Sequence, residues 1–140
     1  MSVRPFVVSD LLACAEIVGD IWGKQFAAEI IEDCQPSDDY DFVERFVADR
    51  HGIVVGLCGI YRLKVHPENY VGVDWFVVSQ RHQRKGIGTQ LLTEALRRTF
   101  GRIVFVWATE QAESFYAKYG FVRSDYPLQP REGDALMIKK

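Results

Sequence analysis

Residues 80–92 read QRHQRKGIGTQLL, and they follow the apolar run YVGVDWFVV at 70–78. The run has the length and the β-branched and aromatic content of a strand. After Gly86, Ile87, Leu91, Ala95 and Phe100 roughly follow one helical stripe, with Leu92 and Leu96 beside it. Between the two stand Arg81, His82, Arg84 and Lys85, then Gly86 and Gly88. Strand, basic turn, two glycines and helix start, in that order, suit an anion. A helix N-terminus carries unpaired N–H groups and a partial positive charge. Glycines there permit unusual dihedrals and close approach of a ligand, most often phosphate.

The other segments read in the same way. Residues 3–8 suit a first strand, followed by a helix capped by Ser9 or Asp10, with Leu11, Ala15, Val18 and Trp22 at helical spacing. A second helix places Phe26, Ile30, Ile31 and Cys34 on one face. The loop EDCQPSDDYD leads to a hairpin of residues 43–49 and 53–63 around the turn RHG. After the helix at 86–100, which Gly101 stops, come a buried strand at IVFVW, a short helix over 111–119 closed by Gly120, and two final strands, FVRSDY and ALMIKK.

Composition limits the partners. The 140 residues suit one domain, 1–140, with its own core, and nearly half of them are apolar. No apolar run is long enough to span a bilayer and the first residues show no signal-peptide pattern, so the expected setting is soluble and cytoplasmic, with no membrane partner. The net charge of -2 argues against a nucleic-acid binder, whose basic excess is usually strong. Cys14, Cys34 and Cys58 are widely spaced with no CxxC, and His51, His66 and His82 lack ligand spacing, so no metal is expected.

A P-loop would need GxxxxGK[ST], which is absent, and a Rossmann turn would need a third glycine where Leu91 stands. QRKGIG instead fits [Q/R]-x-x-G-x-[G/A] after a strand ending in VV. This resembles the acyl-CoA-binding signature of the GNAT superfamily of N-acyltransferases. VRPFVVSD resembles that superfamily's opening strand and cap, ADRHGIVVGLCGIY its central hairpin, and QAESFYAKYGF its A-x-x-F-Y-x-x-x-G-F segment. The resemblance covers nearly the whole chain.

The resemblance implies an α/β (α+β) fold: a mixed, splayed sheet of about six to seven strands flanked by about four helices. It implies acetyl-CoA as cosubstrate, with the pantetheine arm between the strands at 70–78 and 103–107. Backbone groups near Phe76 and Val78 would pair with that arm, and the diphosphate would sit on Gln83, Arg84, Lys85, Gly86, Ile87, Gly88 and Thr89. Thr109 stands where many relatives carry an asparagine that contacts the arm. Tyr116 occupies the tyrosine position of the F-Y pair and would be the general acid. Asp74, a lone carboxylate in an apolar strand, needs a reason to be there. It would accept the proton of an amine, directly or through water, with Glu110 as runner-up. Substrate anchoring or pairing with a cation stays open for Asp74, and a core role stays open for Tyr116.

The acceptor is less legible. By resemblance it lies near Trp22 and Phe26, the acidic loop at 32–41 and the loop at 125–134, which holds Tyr126. Five acids in 32–41 favour a cationic amine, and an ordinary solvated loop is the alternative. The expected reaction is acetyl transfer to a primary amine, small or on a peptide N-terminus or lysine, by direct attack in a ternary complex. The expected protein is a monomer or homodimer. A non-catalytic acyl-CoA-binding regulatory module is the second reading.

Overall fold

The computed structural model describes residues 1–125, 128 and 133–140. Its strands are β1 (Ser2–Pro5), β2 (Tyr40–Arg50), β3 (Ile53–Leu63), β4 (Tyr70–Val78), β5 (Ile103–Ala108), β6 (Val122–Arg123) and β7 (Ala135–Lys139). Its helices are α1 (Leu11–Trp22), α2 (Lys24–Asp33), α3 (Ile87–Arg98) and α4 (Glu113–Ala117). The strands form one mixed sheet of seven in the order β1-β2-β3-β4-β5-β7-β6. All neighbours are antiparallel except β4 and β5. Parallel strands need a crossover, and α3 supplies it. The mixed seven-stranded sheet with four helices is the architecture expected.

Both faces of the sheet are covered. On one, Cys14, Ala15, Ile17 and Val18 of α1 and Ile30 of α2 pack on Val47, Leu57 and Val77. On the other, Ile87, Leu91, Leu92 and Ala95 of α3 and Tyr116 of α4 pack on Phe46, Val55, Cys58, Ile60, Val71, Val73, Val104 and Val106. Double coverage explains why β3 and β4 read as near-continuous apolar runs rather than alternating ones.

Several boundaries depart from expectation. β1 ends at Pro5, and Val8–Asp10 form a 3-10 turn instead of continuing the strand. Neither Ser9 nor Asp10 caps α1 through its side chain. Asp10 is instead drawn back to the strand: its Oδ2 accepts from the Val7 N–H at 2.9 Å, and both carboxylate oxygens accept from Arg4 at 2.9 Å. β2 begins at Tyr40, three residues earlier than its apolar core suggests, because Tyr40 already pairs with Leu63. α3 ends at Arg98. Thr99 turns its hydroxyl back to the Ala95 carbonyl at 2.9 Å, Gly101 takes a left-handed φ of 84°, and Phe100 is thrown outward, 92% exposed. Trp22 and Ile31 are likewise more exposed than their helical spacing suggests. The helix over 111–119 resolves into a 3-10 turn, Glu110–Ala112, and a single α-turn. No helix is long and apolar enough to cross a membrane among the described residues.

Candidate active site at the splay between β4 and β5

β4 and β5 pair only from Tyr70↔Ile103 to Val73↔Val106. Beyond Val73, β4 runs on to Val78 without a strand partner on that side among the described residues, so the sheet splays where the resemblance placed a cleft. On its other side β4 stays with β3, but the register slips. Gly59 faces Asp74 and Leu57 faces Val77, so Trp75 and Phe76 share the place opposite Cys58. Trp75 takes a left-handed φ of 46°. This is a β-bulge, which inserts one residue and re-aims the side chains around it. Asp74 and Trp75 consequently both project toward the α1–α2 face, while Phe76 turns toward α3 and α4. The Trp75 ring lies 6.2 Å from Trp22, and its Nε1 donates to Asp33 Oδ2 at 2.9 Å. Phe76 meets Phe115 edge-on at 5.8 Å and Tyr116 at 6.1 Å.

Tyr116 is 7% exposed, held edge-on by Phe76, Phe115 and Phe121. Burial, and then the neighbouring Cys58, push its phenol well above the ordinary tyrosine value. It is therefore firmly protonated at neutral pH, and a weaker acid than a free phenol. Cys58 is fully buried, and its thiol is pushed up by burial and by the charge of Asp74. Asp74 and Tyr116 thus lie on opposite faces of the sheet at the same bulge, with Cys58 within electrostatic reach of both.

The surroundings of Asp74 come from three elements. Arg45 of β2 and Gly59 of β3 lie in its cross-strand row. The Arg45 guanidinium donates to the Asp33 carbonyl at 3.0 Å, at the end of α2. Tyr40 is near enough that burial, Asp74 and Asp33 raise its phenol above the ordinary value.

The turn after β4 is shaped by two left-handed residues, Arg84 (φ 63°) and Gly86 (φ 80°). Gly86 is the N-cap of α3, and its carbonyl accepts from the Gln90 N–H at 3.1 Å. The N–H groups of Ile87, Gly88 and Thr89 therefore have no acceptor within the helix. A Cβ on Gly86 would meet nothing within 4 Å, so the turn is open outward. Gln83, Arg84, Lys85, Gly86 and Thr89 are exposed, whereas Ile87 is buried and packs in the core. Gln83 Nε2 donates to the Val78 carbonyl at 3.1 Å. Gly88 faces the rings of Phe76 and Phe115, and the Thr89 hydroxyl accepts from Tyr119 at 2.7 Å, which ties α3 to the end of α4. The open backbone fits a diphosphate, and the unpaired stretch of β4 fits an extended amide chain.

The remaining candidates divide. Thr109 is exposed and precedes the 3-10 turn without capping it through its side chain. Glu110 is exposed beside it. Trp22 and Phe26 stack edge-on at 6.2 Å on the Asp74 side of the sheet. Tyr126 lies outside the described residues. No group of three or more potential metal-ligating side chains occurs among the described residues. The bulge, Arg45, Tyr40, Cys58 and Gly59 were not anticipated.

A family model described as an acetyltransferase (GNAT) domain matches residues 42–123, from the central hairpin through the last helix. The chain belongs to the GNAT acetyltransferase family. No curated protein matches the sequence. Solved structures share the fold at low identity. A GNAT-family acetyltransferase from Staphylococcus aureus is 18% identical with a TM-score of 0.77, covering 99% of this chain and 97% of its own. An aminoglycoside 6'-N-acetyltransferase solved with coenzyme A is 15% identical with a TM-score of 0.77, over 99% and 96%. The PaiA N-acetyltransferase of Thermoplasma acidophilum, also solved with coenzyme A, is 19% identical with a TM-score of 0.69, over 100% and 99%. This GNAT chain thus carries the family's splayed sheet, with Asp74 and Tyr116 flanking the splay.

Proposed function

We propose that this protein transfers an acetyl group from acetyl-CoA to a primary amine by direct attack in a ternary complex, as one N-acetyltransferase domain over 1–140. The observation that carries the reading is the parting of β4 from β5 after Val73↔Val106, which leaves the bulged end of β4 leading straight into the open turn of α3. Acetyl-CoA, when bound, supplies the thioester that the amine attacks. Its diphosphate rests on the backbone of 83–89, with Arg84 and Lys85 adding Coulomb attraction. The arm runs along Phe76 and Val78 and displaces Gln83 from the Val78 carbonyl, while Thr109 borders its path.

The protein's own groups then handle two protons. An ammonium cannot attack, so Asp74 accepts the amine's proton, directly or through a water molecule. Tyr116 faces the opposite side and offers its hydroxyl proton to the departing sulfur. Because burial holds that phenol above its usual value, its contribution combines hydrogen bonding with proton transfer. Trp22 and Phe26 border the acceptor. Two of the relatives solved with coenzyme A are N-acetyltransferases, one of them acting on an aminoglycoside, which supports an amine acceptor.

The test is free-thiol release from acetyl-CoA across a panel of small amines and basic peptides. Amine-dependent release supports the reading. A rise in melting temperature with acetyl-CoA, but no release with any amine, favours the non-catalytic module instead.

A further inference from the structure

The carboxylate at the splay rests in a slot on the neighbouring strand. Gly59 stands between Arg45 and Asp74 in one cross-strand row and is buried. A Cβ added there would lie 2.5 Å from Asp74 Oδ1, and 3.5 Å from both Arg45 Cγ and the Asp74 carbonyl oxygen. Gly59 is not among the glycines with left-handed backbone, so conformational freedom is not what glycine provides at this position. Glycine within a strand costs stability and leaves nothing to pack. What it provides is room. Asp74 and Arg45 converge over the space that any other side chain would fill.

We propose that Gly59 is a positioning residue for Asp74. By lacking a Cβ it lets the carboxylate lie against β3, beside the aliphatic part of Arg45. This rests on the reading of Asp74 as the base. The charged and titratable groups around that slot are Arg45 and Tyr40 of β2, Cys58 of β3, and Asp33 and Cys34 at the end of α2. A methyl at 59 clashes with the far end of the Asp74 side chain and meets backbone only at an ordinary 3.5 Å. The sheet survives and the carboxylate moves. Gly72 is a useful contrast, because its Cβ would meet ring atoms of Tyr61 and Phe105 at 2.5 to 2.8 Å, which cannot swing aside.

The test compares Gly59→Ala, Asp74→Ala and the double variant. In Gly59→Ala we expect kcat to fall roughly 10- to 100-fold, the cost of moving a reacting group by about an ångström, with the KM for acetyl-CoA unchanged. In the Asp74→Ala background the added methyl should change kcat by less than about twofold, because nothing remains to be displaced. The carboxyl ¹³C resonance of Asp74, assigned by its loss in Asp74→Asn, should shift in Gly59→Ala. If the methyl unfolds the chain, truncating Asp74 should restore folding by vacating the same space. Wild-type kcat with an unmoved resonance in Gly59→Ala overturns the inference. So does a methyl that is equally harmful in both backgrounds, since Gly59 would then act through the sheet alone. Wild-type kcat in Asp74→Ala overturns the reading of Asp74 as base, and with it any catalytic role for Gly59.

Discussion

Removing the Tyr116 hydroxyl separates its chemistry from its packing. Phenylalanine keeps the ring and its edge-on contacts with Phe76, Phe115 and Phe121 at 5.5 to 6.1 Å. Loss of the hydroxyl therefore changes stability by at most about 1 kcal/mol. At roughly 0.3 kcal/mol per degree for a chain of this length, that is a melting shift of about 3 °C or less. The catalytic cost is larger. An ordinary phenol titrates near 10 and a free thiol near 8.5, so giving the sulfur a proton is uphill by about 2 kcal/mol. Burial widens that gap, which places Tyr116 at the lower end of the range for a general acid. We expect kcat in Tyr116→Phe to fall on the order of 10²-fold, with acetyl-CoA affinity nearly unchanged. Because the phenol lies above its ordinary value, the wild type should show no fall in kcat from Tyr116 ionisation up to about pH 9.5. Thiol release at saturating acetyl-CoA, followed from pH 6 to 9.5, measures both. Wild-type turnover in Tyr116→Phe would show that the residue only fills the core and that the proton comes from elsewhere.

Asp74→Asn should lose most of its kcat at neutral pH and less at pH 9.5, where more amine is already neutral; a raised acceptor KM with kcat preserved would make Asp74 an anchor instead. Gly86→Glu forces a side chain into left-handed backbone and a negative charge onto the open turn, so it should lower the melting temperature by a few degrees and abolish the shift produced by acetyl-CoA. The Arg4 guanidinium holds the carboxyls of Asp10 and Asp49 below the usual range. The unfolded chain therefore binds more protons there in acid, so this stability is present above about pH 4 and lost as pH falls further. Arg4→Met should lower the melting temperature at pH 7 and flatten its decline between pH 4 and 2.5, as a series of thermal melts would record.

What was legible in the sequence was chemistry that one short segment contains. The glycine turn announced itself because a left-handed N-cap at Gly86 is a local demand. Asp74 stood out because a carboxylate in an apolar strand is conspicuous wherever that strand goes. The bulge did not stand out. Both faces of β4 are covered, so, Asp74 apart, its residues are apolar whichever way they point, and a slip in parity leaves no trace. The end of α3 was misjudged for a similar reason: Phe100 fits the stripe by spacing, but a hydroxyl on Thr99 decides where the helix stops. Arg45, Tyr40 and Gly59 gain meaning only beside Asp74; Arg45 and Gly59 reach it by strand pairing, and Tyr40 through the fold rather than by spacing.

The short parallel ladder between β4 and β5 has a mechanical consequence. It is the seam between an antiparallel meander, β1 to β4, and a smaller unit, β5 to β7. On the α3–α4 face one hydrophobic cluster runs unbroken across the seam, and Tyr119 on Thr89 staples the helices there. On the opposite face the seam is bridged too, by Tyr61 and Tyr70 packed against Phe105, a cluster separate from the core beneath α1 and α2. A seam packed on both faces acts as a fixed joint, so the two parts of the sheet hold one relative orientation even though β4 and β5 pair only as far as Val73↔Val106. Asp74 stands on the meander and Tyr116 on the helix that follows β5, so the packing across the seam holds the distance between them.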